Sequence, residues 1–220
     1  MTKILLIAVI LGMALWLYRK FQSDQRKTKL ARLSLFTEAT DLLAHPEMQQ
    51  DGLGFPVVTG TYQDYEVKLT LIEDSLAVRK IPPLWLTVTV QGKQAIKGSL
   101  DLIVRPQNNE FYSPAWKWQG NLQVPSHWPQ HSIIKYQDEP VDVGLIDTEV
   151  PKIFADEHMK ELLITPWAVR LTYMAKQAQR GEYLIMRNAI FNAEPIPQAV
   201  VEKILKQAIH IRQLLEKGAK

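Results

Sequence analysis

The chain opens on an unbroken apolar run, passes into a helical period, then into strict alternation, and closes on a helical period again. From Ile4 to Tyr18 the run ILLIAVILGMALWLY holds fifteen residues without a charge, and Met1 to Tyr18 holds only Lys3. At about 1.5 Å rise per residue, eighteen residues extend roughly 27 Å, close to the hydrocarbon thickness of a bilayer. The run predicts a single N-terminal transmembrane helix. Its membrane-contacting residues include Ile4, Ala8, Gly12, Trp16 and Tyr18, with Arg19 and Lys20 reaching the headgroups. Ala8 and Gly12 have the small-xxx-small spacing of close helix pairs, although lipid-facing packing accounts for them equally. Gly12-Met13-Ala14 would suit signal-peptide cleavage, but a lone Lys before the run and its continuation through Leu15, Trp16 and Leu17 favour a retained anchor.

Beyond the anchor, Leu30, Leu33, Phe36, Ala39 and Leu43 recur at three and four, predicting an amphipathic helix over residues 29–44 that Pro46 ends. The turn-rich cluster QQDGLGFP follows, and the sheet is expected after it. From Val57 the period is two: Val67, Leu69 and Leu71, then Leu84, Leu86, Val88 and Val90, then Leu100, Leu102 and Val104 alternate with other residues. Short connections favour an antiparallel meander, with Pro82-Pro83 at a strand entrance. AWKWQGNLQV reads as a strand with Trp116 and Trp118 on one face. Residues 151–163 read as a helix, VRLTYMAKQ and EYLIMRNAIF as a hairpin turning at Arg180-Gly181, and residues 198–217 as a helix burying Val201, Ile204, Ala208, Ile211 and Leu215. The expected fold class is α+β: one transmembrane helix, then one soluble domain whose mainly antiparallel sheet is covered by helices. The division is 1–24 anchor with basic flank, 25–50 basic stalk and amphipathic helix, and 51–220 soluble domain.

Charge refines the anchor and changes the partner. The net charge is +3 and the pI about 9.0, yet residues 1–32 hold seven Lys or Arg against Asp24 alone. The remaining 19 bases and 22 acids make the body −3. A mildly acidic body lacks the phosphate-neutralising footprint of a nucleic-acid binder, so nucleic acid is excluded as a partner. Six of the bases lie between Arg19 and Arg32, which assigns the body to the cytoplasmic side and brings the anionic leaflet within reach of a basic stretch.

With no cysteine, disulfides, thiolate metal sites and cysteine nucleophiles are excluded. His127 and His131 frame HWPQH at i, i+4, but a metal needs a third ligand that the spacing does not supply. The Asp156-Glu157-His158 and Glu161 group and the acids from Asp138 to Glu149 read as solvated positions, and glycine-rich phosphate cradles and GxSxG are absent. No catalytic residue, metal or cofactor is expected. Trp116, Trp118 and Trp128 are the candidate partner surface, weighed against a role in the core. The expected function is a membrane-anchored accessory or scaffolding subunit whose cytoplasmic domain binds a protein in a membrane complex. The alternative is a membrane-tethered enzyme or small-ligand binder using residues 105–150.

Overall fold

The computed structural model describes residues 2–75, 81–107, 110–186 and 189–218, without the side chains of residues 2–4, 8 and 184–186. Helix α1 (Thr2–Leu33) leads through a 3-10 turn at Ser34–Phe36 into the short α2 (Thr37–Thr40). Strands β1 (Ala44–Gln49), β2 (Val57–Tyr62), β3 (Tyr65–Glu73), β4 (Pro83–Gln91) and β5 (Ser99–Val104) follow, then β6 (Gly120–Leu122) and β7 (Ser132–Gln137). The chain continues through α3 (Glu149–Phe154), β8 (Met159–Thr165), β9 (Ala168–Gln177) and α4 (Arg180–Met186) to α5 (Gln198–Gly218).

The strands form one sheet of nine in the order β1-β2-β3-β4-β9-β8-β5-β7-β6, every neighbouring pair antiparallel. β1 to β4 make the expected meander, because alternation places Val67, Leu69, Leu71, Leu86 and Val88 on one buried face. β5 then crosses to the far half, leaving room for the β8–β9 hairpin at the centre. Helix α5 packs on β4 and β9, and the five residues expected inside are buried along with Leu205 and Ile209. Leu35, Phe36, Ala39 and Leu43 close the same core from the other end.

Several expected elements differ. The sheet begins at Ala44, ahead of the turn cluster: Pro46 lies in the outermost strand, at a bulge between Ala44 and Glu47, where its missing N–H interrupts no ladder on both sides. The amphipathic helix is no separate element, since α1 runs unbroken from the anchor to Leu33 and leaves Leu30 exposed. AWKWQGNLQV is a 3-10 turn at Pro114–Lys117 and only three residues of strand; Ser113 caps the turn by accepting the Ala115 N–H at 3.1 Å, with Pro114 at its first position. Residues 151–163 split into α3 and β8. From Met159 to Ile164 β8 is buried, and its adjacent Lys160 and Glu161 followed by Leu162, Leu163 and Ile164 carry no alternation to distinguish it from a helix. EYLIMRNAIF is no strand where it is described, and α4 occupies Arg180–Met186; the hairpin partner of β9 is β8, joined at Pro166-Trp167. Residues 187 and 188 of that segment lie outside the described residues.

Candidate functional site

Two regions stand out: the junction of α1 with the body, and a polar-footed strap of chain lying on the second face of the sheet. Along α1 the side chains from Leu5 to Phe21 stand away from the body, with Leu17 at 53% and Leu5 at 67% exposure spanning the large apolar ones. Trp16 and Tyr18 share that exposure, Arg19 is solvated, and Lys20 pairs with Asp24 at 3.3 Å. No atom lies within 4 Å of a Cβ placed on Gly12, and the side chains of Ile4 and Ala8 lie outside the described residues. The helix is long and apolar enough, by length and composition, to cross a membrane.

At its other end α1 is fastened rather than hinged. The Arg32 guanidinium donates to the Leu53 carbonyl, lies 3.7 Å from the Glu73 carboxylate and sits 4.3 Å from the centre of the Phe55 ring. Burial pushes the Glu73 carboxyl up, and Arg32 opposes it. Ser34 donates to the Ala193 carbonyl at 2.9 Å, and the Ile196 N–H donates to the Leu35 carbonyl at 2.9 Å. Phe55 meets Phe191 edge to face, their centroids 6.3 Å apart. Between these groups a cavity of about 250 Å³ is lined by Thr28, Ala31, Arg32, Leu35, Phe55 and Ile190 among others.

On the second face, cross-strand register brings a charged group into rows that are otherwise apolar or threonine. Glu161 stands opposite Thr172, and Leu163 separates Asp101 from Arg170. Asp101 and Glu161 are fully buried. Arg170 reaches Glu161 at 3.0 Å, Thr172 donates its hydroxyl to the same carboxylate, and Ser113 donates to Asp101 at 2.6 Å. Burial pushes the Asp101 carboxyl well above its ordinary range; the negative Glu161 adds to this, while Ser113 and Arg170 oppose it.

Residues 105–118, described except for 108 and 109, form the strap over these rows. Arg105 donates to the carbonyls of Glu157 and Met159, at 2.8 and 2.6 Å, and accepts from Lys160 at 2.7 Å. Lys160 and Glu110 make a buried ion pair at 2.7 Å. Burial raises the Glu110 carboxyl, but its bonds to Lys160 and to the Gln107 N–H win and hold it below the usual value. Tyr112 is pushed upward by burial and then by Glu161, Glu110, Asp74 and Asp101. Above this footing Phe111 is 52% and Trp116 40% exposed, and Trp118 is half-buried.

Trp128 belongs elsewhere. It is buried in the core at 3% exposure, its indole donating to Asp147 at 2.8 Å, so the three tryptophans form no common surface. His127 pairs with the same Asp147 oxygen at 2.8 Å, whereas His131 occupies a left-handed turn whose carbonyl accepts the Arg105 N–H. His158 pairs with Asp156, which also binds Lys203 at 2.8 Å. Among the described residues no group of three or more histidines and acids is placed to hold a metal. Sequence reasoning missed Asp101 and Arg170, and it took Glu161 for a solvated position whereas β8 carries it fully buried. Their signal was a charge inside an otherwise apolar strand: one in SLDLIV, one in AVRLTY and the adjacent pair in KELLIT.

No family model and no curated protein matches the chain. Among solved structures it is similar to the crystal structure of the mycobacterial trehalose monomycolate transport factor A, TtfA, at 11% identity and a TM-score of 0.47, over 84% of this chain and 94% of that one.

Proposed function

We propose that this protein is a single-pass membrane-anchored accessory or scaffolding subunit. In this reading α1 crosses the bilayer, with Trp16 and Tyr18 at the interface and Arg19 and Lys20 against anionic headgroups. The body stands in the cytoplasm and binds a partner protein through the strap, where Phe111, Trp116 and Trp118 offer aromatic area on a footing of buried hydrogen bonds and ion pairs. One observation carries the proposal: the apolar side chains of α1 from Leu5 to Phe21 find no cover on their own body, and lipid supplies it at roughly 25 cal/mol per Å² removed from water.

Membrane fractionation with alkaline extraction tests the anchor, and gentle detergent solubilisation followed by native sizing tests the subunit role. The protein should remain with the membrane pellet and migrate in an assembly heavier than its own 25.2 kDa. Protease added outside spheroplasts should spare the body. Release by alkali overturns the anchor, a monomer overturns the subunit role, and digestion reverses the orientation.

A further inference from the structure

The strap covers β5, and its hold on that strand is polar. β5 is hydrogen-bonded to β8 on one side and to β7 on the other, so neither neighbour can move aside without breaking a ladder. The strap from Glu110 onward is seated by side-chain bonds instead: Ser113 to Asp101 at 2.6 Å, Arg170 to the Tyr112 carbonyl at 3.3 Å, and the Lys160–Glu110 pair. Two polar atoms at this contact are buried with no hydrogen-bond partner among the described residues, Asp101 Oδ1 and the Tyr112 hydroxyl. Charged groups face Asp101 from each element around it. β8 brings Glu161, β9 brings Arg170, and β7 brings the half-buried Lys135 directly across the register. The strap brings Glu110, which Lys160 of β8 answers, and Asp74 bears on Tyr112 from the end of β3. Arg170 places its own bonds on the Glu161 carboxylate and on the strap.

An ionised Asp101 in this setting keeps one hydroxyl bond, from Ser113, against a dry second oxygen and the repulsion of Glu161. A buried carboxylate oxygen without a donor forfeits its hydration, so the neutral acid suits the seated strap. Loss of the proton calls for water at Oδ1. Lifting the strap admits it at the cost of side-chain bonds, whereas any other opening breaks a β ladder. The Lys160–Glu110 pair at one end and β6, from Gly120, at the other remain as tethers. We infer that residues 111–118 form a proton-held latch, seated on the sheet while Asp101 is neutral and lifted when it ionises, wetting Asp101 and Tyr112 together. The seated state binds the proton more tightly, because burial and Glu161 raise the carboxyl there and the opened state restores water to it. Seating is therefore favoured at low pH and weakens as pH rises toward the raised value. The latch makes the display of Phe111, Trp116 and Trp118 depend on pH, and it belongs to the chain alone, whether or not the strap meets a partner.

Hydrogen exchange of the full chain in detergent, followed by mass spectrometry between pH 5 and pH 9 and corrected for the intrinsic base-catalysed rate, tests the latch. Peptides covering residues 111–118 should lose protection by up to about ten-fold per pH unit, the slope that one proton allows, while β5 and β8 keep theirs. Asp101→Asn, which keeps an acceptor for Ser113, should make the corrected protection independent of pH. Glu161→Gln removes the repelling charge and lowers the seated value, so the decline should end at a lower pH and with a smaller total loss. Constant protection in the parent overturns the inference, as does a decline that persists in Asp101→Asn or one shared equally by β5 and β8. Should Asp101→Asn fail to fold, Glu161→Gln decides: a decline identical to that of the parent overturns the latch.

Discussion

At the scale of single residues, the buried charges on the second sheet face decide the most. Asp101 is fully buried beside Glu161, and Arg170 is the guanidinium the two carboxylates share. Because burial and the Glu161 charge raise the folded-state pKa of Asp101, the folded protein holds a proton that the unfolded chain releases near its ordinary value of 3.8. The resulting stability is complete below about pH 4 and is lost as pH rises toward the raised folded-state value, at about 1.4 kcal/mol per pH unit within that window. Asp101→Asn keeps an acceptor for Ser113 and removes the titration. Urea unfolding at pH 5 and pH 8 should show the variant gaining on the parent at the higher pH. An equal difference at both would mean that Asp101 is ionised in the fold throughout the range. The Lys160–Glu110 pair follows another logic, since each charge is answered at 2.7 Å and the pair fastens the strap.

At the scale of elements, legibility followed environment. β2, β3 and α5 were readable because each has one buried and one wetter side, and β4 and β5, though buried on both faces, still alternate Leu or Val with Trp85, Thr87 and Thr89 or with Ser99 and Asp101, so the sequence keeps a period of two or 3.6. β8 was not, because Lys160 and Glu161 stand side by side and Leu162, Leu163 and Ile164 follow them without alternation, a run that suits either structure. The strap misled for the opposite reason: Trp116 and Trp118 alternate by accident of a capped 3-10 turn whose shape is set by Ser113 and Pro114. The apolar N-terminal helix was open to inspection, while the site residues Asp101, Glu161 and Arg170 come together only through cross-strand register. The position of β8 makes a prediction of its own. In hydrogen exchange followed by mass spectrometry, peptides covering residues 159–164 should be among the slowest of the chain, well behind the one-sided β1 and the three-residue β6, because opening β8 breaks two ladders. Fast exchange there would mean that the segment is not a central strand.

At the scale of the whole molecule, the continuity of α1 matters more than its hydrophobicity. From Tyr18 to Leu33 the helix advances fifteen residues, roughly 22 Å, so if α1 crosses a bilayer along its normal, as proposed, it holds the body that far above the interface. Arg19 and Lys20 then lie at the headgroups, but Arg26 stands roughly 12 Å and Arg32 roughly 21 Å away, beyond a Debye length of about 8 Å. In that placement the leaflet would act mainly on the first two cations, while Arg32 makes its structural contacts with Leu53, Glu73 and Phe55. Those contacts, with the Ser34–Ala193 and Leu35–Ile196 bonds, leave no flexible linker between anchor and body. The chain has no cysteine, so a pair introduced by Ser23→Cys and Glu47→Cys can carry two spin labels without competition. Both sites are exposed, one on the helix and one on β1. The distance distribution between them should be single and narrow, and Arg32→Ala should broaden it by removing three contacts at once while the melting temperature of the body changes little. A broad distribution in the parent would mean that the body swings on α1; a narrow one fixes the height and the azimuth at which α1 holds the strap.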